Sequence, residues 1–164
     1  MARRIEHLTT SPRSAGEVYS ALTNEAYLRD RLTVLGGTNA ALLAFTGGGG
    51  STSYQLRQGV PADRLPSVAR GLLGGDLVID RAESWTEAGY AGTVEVTLNG
   101  VPGRLDGTIT LADTTSGSTL TLAGQVKVSI PLMGGKLESL IAEQVAALLD
   151  RESAFTTEWL ATHP

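Results

Sequence analysis

The last third of the chain constrains the fold most. A strand-like run stops at Pro131, Gly134 and Gly135 follow, and a helical pattern covers residues 136–161. At 1.5 Å per residue such a helix is roughly 39 Å long, enough to cross a small domain. Leu137, Ile141, Val145, Leu148, Phe155 and Trp159 fall on one stripe at about 100° per residue, and a stripe of this kind must pack against another element. The preceding strands are the available surface. The pattern therefore predicts a long helix gripped by a curved sheet.

The rest of the chain supplies that sheet. Residues 3–9 read as a first strand with Ile5 and Leu8 as apolar anchors. Ser14 and Glu17 have capping-box spacing, which predicts a helix starting at Ala15 with Val18, Ala21 and Leu22 buried. Asn24 is a second N-cap, for a helix over 25–34 with Tyr27, Leu28, Leu32 and Leu35 on its apolar side and Gly36-Gly37 at its end. The period then changes to that of strands. Residues 39–45 and 52–58 flank Gly47-Gly48-Gly49-Gly50, a hairpin signal. Residues 59–75 interrupt with Pro61 and Pro66, then Leu65, Val68, Ala69, Leu72 and Leu73 at helical spacing, closed by Gly74-Gly75. Strands resume at 77–85, 92–98, 104–112 and 118–130, with Asn99-Gly100 and Ser116-Gly117 as turns. Along the longest, Leu120, Leu122, Val126, Val128 and Ile130 alternate with polar residues, as in an antiparallel sheet covered on one face and wet on the other. Strands beside segregated helices give an α+β class.

Composition narrows the function. With 164 residues, 41% of them hydrophobic, the chain suits one domain, 1–164, with a sizeable core. It has no Cys, hence no disulfide, thiolate metal site or Cys nucleophile. A net charge of -4 argues against a nucleic-acid footprint. No apolar run reaches the ~20 residues of a membrane helix, and MARRIEHLTT has no apolar core of a secretory signal, so the expected compartment is the cytoplasm. No cofactor motif is present: the tetraglycine run lacks the Lys-Ser/Thr of a phosphate loop. Two widely separated histidines predict no metal site.

Particular runs carry a family resemblance. Val128-Ser129-Ile130-Pro131-Leu132-Met133-Gly134-Gly135-Lys136-Leu137-Glu138 and Phe155-Thr156-Thr157-Glu158-Trp159-Leu160, with Tyr27-Leu28, Gly74-Gly75-Asp76-Leu77 and Ser84-Trp85, resemble an actinobacterial family, domain of unknown function 2505. That family lies within the START-like, birch-pollen-allergen-like (SRPBCC) superfamily. The resemblance implies the helix-grip fold: a curved antiparallel sheet around a long C-terminal helix, with two short helices after the first strand. It also implies an apolar cavity between sheet and helix. Superfamily members bind lipids, sterols, polyketides or other hydrophobic ligands; some are cyclases and some are co-chaperones. No catalytic residue carries over from it.

On this basis the expected partner is a small hydrophobic molecule. The expected lining is Tyr54, Trp85, Val94, Val96, Leu98, Ile109, Leu111, Leu122 and Val126 from the sheet, and Ile141, Val145, Leu148 and Glu152 from the helix. The same apolar residues would also make an ordinary solid core. The segment 61–73 and the tetraglycine hairpin would act as gates. Glu152 falls near the stripe, at about 60° from Leu137. In a cavity it would be an acid with a raised pKa; alternatively the helix outruns the sheet there and the carboxylate meets water or an Arg. Glu138, in the first turn, is accounted for by the helix dipole. His7 shares a face with Ile5, either face can be the inner one, and a rim or surface position is the ordinary reading. Arg57 and Arg81 belong on the sheet exterior, unless one points inward to select an anion. Two other readings stay open: a pocket enzyme of the cyclase, dehydratase or hydrolase type using Glu152, His7 and Tyr54, and an interaction module with a solid core. Monomer and homodimer both stay open.

Overall fold

The computed structural model describes residues 2–65 and 67–163; Pro66 and the side chain of Val68, both in the interrupting segment, lie outside the described residues. Among the described residues there are seven strands and four α-helices: β1 (Ala2–Ser11), α1 (Ala15–Leu22), α2 (Glu25–Leu35), β2 (Ala41–Gly48), β3 (Ser51–Val60), α3 (Ser67–Leu73), β4 (Leu77–Thr86), β5 (Ala91–Leu98), β6 (Gly103–Thr114), β7 (Gly117–Val128) and α4 (Gly134–Thr162). The strands form one antiparallel sheet in the order β1-β7-β6-β5-β4-β3-β2. This is the helix-grip arrangement, and α4 lies across the inner face of the sheet, against β1 and β7. Each element falls within three residues of its expected position. Among the described residues no helix is long and apolar enough to cross a membrane.

Local chemistry explains the joints. The Ser14 hydroxyl accepts from the Glu17 amide while the Glu17 carboxylate accepts from the Ser14 amide, closing the capping box. The Ala15 amide donates to Asp113 Oδ1 at 2.8 Å, which ties α1 to the far end of β6. Asn24 caps α2 by accepting from the Tyr27 amide. Gly48 pairs with Ser51, so the hairpin tip is Gly49-Gly50, with φ of 65° and 82° at the two positions, the backbone of a type I′ turn.

Alternation sets which side chains face α4, with two departures from expectation. On β1, Ile5 is buried but Leu8 is 54% exposed, because residues three apart on a strand point to opposite faces. On α4, the stripe drifts. Leu137 and Ile141 are buried as expected, but further along the buried positions are Leu149, Glu152, Thr156 and Leu160. Val145, Leu148, Phe155 and Trp159 are half-buried. The reason is a second partner: Phe155 and Trp159 pack on Tyr27 of α2, with ring centroids 5.7 and 5.3 Å away, so the apolar stripe there faces α2 rather than the sheet. Glu138 is also more than a dipole partner. It is 3% exposed and accepts from the Val128 amide at 2.8 Å, holding the end of β7 to the start of α4.

Gly107 of β6 pairs with Gly124 of β7, and a Cβ on Gly124 would run into the Asp106 carbonyl oxygen and Gly107 Cα. Both obstacles are backbone, so the strands would have to separate. Gly124→Ala is therefore expected to cost about 2 kcal/mol, lowering Tm by roughly 4–8 °C. In the same thermal melts Gly135→Ala, whose Cβ meets nothing within 4 Å, should leave Tm unchanged or raise it.

Candidate functional site

The inward face of β4 organises the interior. Its residues run Leu77, Ile79, Arg81, Glu83, Trp85, each buried. The first two line a cleft of about 290 Å³ that also takes Val96 and Leu98 of β5, Gln58 of β3, and Ile141, Val145 and Leu148 of α4. The last three line a separate void of about 40 Å³ with Ile109, Leu111, Ser118 and Glu152, room for roughly two or three waters. A third, apolar void of about 30 Å³ lies under α3 and shares Leu77, Leu98, Ile141 and Gln144 with the cleft.

The expected lining residues thus divide. Val96, Leu98, Ile141, Val145 and Leu148 meet at the cleft. Trp85, Ile109, Leu111 and Glu152 border the small void. Tyr54, Val94, Leu122 and Val126 are buried but border neither, because their side chains interlock in packed core.

What separates cleft from small void is a buried charged cluster. Arg81 donates from Nη1 and Nη2 to the two oxygens of Glu152, at 2.8 and 3.1 Å, and from Nε to Glu83 Oε2 at 2.5 Å. The other Glu83 oxygen accepts from the Tyr54 hydroxyl at 2.9 Å and from Trp85 Nε1 at 3.1 Å. Arg31 of α2 enters from the far side, 1% exposed, with Nη1 3.5 Å from Glu152 Oε1. The Thr156 hydroxyl donates to the Glu152 carbonyl, which leaves Tyr27 to donate to Thr156. The cluster joins α2, β3, β4 and α4, and its two arginines and two glutamates balance in formal charge.

Several buried polar groups in this region, Glu83 among them, were not expected to be there. Arg81 is inside rather than on the sheet exterior, where Arg57 does lie, paired with Asp80. The signal was parity: Arg81 is an even number of residues from both Ile79 and Trp85, whereas Arg57 is an odd number from Tyr54. Arg31 was missed, although it sits four residues after Tyr27 and three after Leu28, on the apolar side of α2. Gln58 shares the face of Tyr54 and Leu56 and is 3% exposed. It approaches the Glu152 carboxylate, yet neither Oε1 nor Nε2 reaches hydrogen-bond geometry with a partner. The Nε and Nη2 of Arg31 are also unpartnered.

The electrostatics correct the expected chemistry of Glu152. Burial alone would raise its pKa, but the charges of Arg31 and Arg81 and the hydrogen bonds from Arg81 hold it below the usual glutamate range. Glu152 is a carboxylate locked between two arginines, not an acid holding a proton. It does meet an arginine, but inside the sheet's span rather than beyond it. Tyr54 moves the other way, pushed well up by burial and by Glu83. His7 stands apart from both: it is half-buried on β1, with Nε2 2.8 Å from Asp150 Oδ1 at the edge of α4. The trio of Glu152, His7 and Tyr54 therefore does not converge. Among the described residues, no three His, Cys, Asp or Glu side chains gather to hold a metal ion.

A lowered folded-state pKa means that the Glu152 contribution is complete above the unfolded value, near 4.5, and is lost as pH falls through the folded value. Glu152→Gln strands two buried arginines and is expected to cost about 3–5 kcal/mol at pH 7. Urea denaturation at several pH values should also show a shallower loss of stability below pH 4.5 in this variant than in the parent.

Comparison with known proteins agrees with the fold. An uncharacterised Mycobacterium tuberculosis protein, Rv0481c, is 32% identical over 160 residues, covering 92% of each chain. The Thermus thermophilus protein TTHA0849 superposes with a TM-score of 0.66 at 14% identity, over 98% of this chain and 99% of its own. Norcoclaurine synthase from Thalictrum flavum, solved with dopamine and hydroxybenzaldehyde, superposes with a TM-score of 0.64 at 14% identity, over 100% and 89%. Residues 6–160 match the family described as protein of unknown function (DUF2505), and the chain belongs to that family.

Proposed function

We propose that the protein binds a small hydrophobic ligand in the cleft between α4 and strands β3 to β5. The observation that carries this is the cleft itself. At about 290 Å³ it is seven times the volume of the void beyond the charged cluster, and its floor is aliphatic, formed by Ile79, Val96, Leu98, Ile141 and Val145. Ligand sites generally begin near ~300 Å³ and combine apolar walls with a few polar groups, a description this cleft fits at its lower limit. Norcoclaurine synthase, of the same fold, was solved with two small aromatic molecules bound. The helix α3, only seven residues long and bounded by Gly74-Gly75, covers the small apolar void beside the cleft rather than the cleft itself.

The ligand reading has a direct test. Isothermal titration with 1-decanol should give saturable binding at one site per chain. Val145→Trp, placing a bulky side chain from a half-buried position on α4 into the cleft, should weaken that binding at least tenfold with Tm little changed. Decanol affinity unaltered by this filling, or no binding at all, would exclude the cleft as the site.

A further inference from the structure

The cleft is chemically one-sided. Its charged lining residues are Arg64, just before α3, and Arg151 of α4; no acidic side chain lines it. Both arginines are exposed, and among the described residues neither has an ion-pair partner, as is also true of Arg3, Arg4 and Arg70 away from the cleft. The outer end of the cleft is thus cationic in a protein whose net charge is -4. The inner end is the opposite environment. There Gln58 is buried and uncharged, and behind it stands Glu152, with its two oxygens already committed to arginines. A carboxylate pushed to this end would lose its hydration and face another carboxylate, in a cluster with no surplus positive charge. An acid left at the rim keeps its water and gains two unpaired cations.

Taking the cleft as a binding site for a hydrophobic molecule, we propose that its ligand is an anionic amphiphile. The apolar chain lies on the aliphatic floor, pointing toward Gln58. The carboxylate or phosphate head stays at the rim beside Arg64 and Arg151. This goes beyond hydrophobicity as the selection rule: among molecules with equal chains, the charge of the head decides. Exposed pairs contribute modestly, so two arginines together give a preference of about five- to tenfold, and because they are exposed the preference is screened by salt.

The test compares decanoate, decyl phosphate and 1-decanol by isothermal titration at pH 7.5, at low salt and again in about 0.5 M salt. At least one anion should bind five- to tenfold more tightly than the alcohol at low salt, and the ratio should fall toward one at high salt. Which anion is preferred tells a carboxylate head from a phosphate. In the double variant Arg64→Gln/Arg151→Gln the anion-to-alcohol ratio should also fall toward one. Decanol binding as tightly as both anions, or a ratio indifferent to salt and to the double variant, would overturn the anionic assignment while leaving the cleft as a hydrophobic site. No binding of any of the three would overturn both.

Discussion

The pair formed by Arg81 and Glu152 links β4 to the second half of the long helix, and much of the interior is arranged around it. Two charges in a protein interior are tolerated only when their hydrogen bonds are satisfied and their signs balance. Arg81 meets this by spreading its donors over two carboxylates, Glu83 and Glu152. Glu83 in turn requires the Tyr54 hydroxyl and the Trp85 indole. Glu152 draws in Arg31, and with it the position of α2 against α4. Each member fixes the next, so a helix, two strands and the C-terminal helix are held in register by direction-specific contacts that apolar packing does not supply.

The fold was legible because its signals are local and periodic. The capping box at Ser14 and Glu17, the alternation of β6 and β7, the tetraglycine turn and the uninterrupted helical pattern after Pro131 each specify one element, and their order specifies the class. The interior was legible only in its apolar parts. Arg31 and Arg81 look like surface residues when judged by type, and only their phase relative to Tyr27, Leu28, Ile79 and Trp85 marks them as internal. Pairing is a different matter. That Arg31 and Arg81 converge on Glu152 depends on which elements cross, and nothing in the spacing of 31, 81 and 152 expresses it.

The drift of the α4 stripe has the same origin. A helical wheel assumes one partner along the whole length, whereas α4 has the sheet on one side and α2 on another. Over its second half the apolar residues Phe155 and Trp159 go to Tyr27, and the positions turned to the sheet are Glu152 and Thr156. The expected single cavity along the helix is for that reason cut in two. Apolar floor continues only as far as Ile79 and Val96; beyond them the space is filled by charge pairs and aromatic rings.

The charged cluster is the inner limit of the cleft. A flexible apolar chain can bend along a greasy wall, but it cannot pass a set of ion pairs without breaking them. Lengthening the cleft inward past Gln58 would mean breaking those ion pairs. The same ion pairs that hold α4 to the sheet thus set how deep the cleft can run.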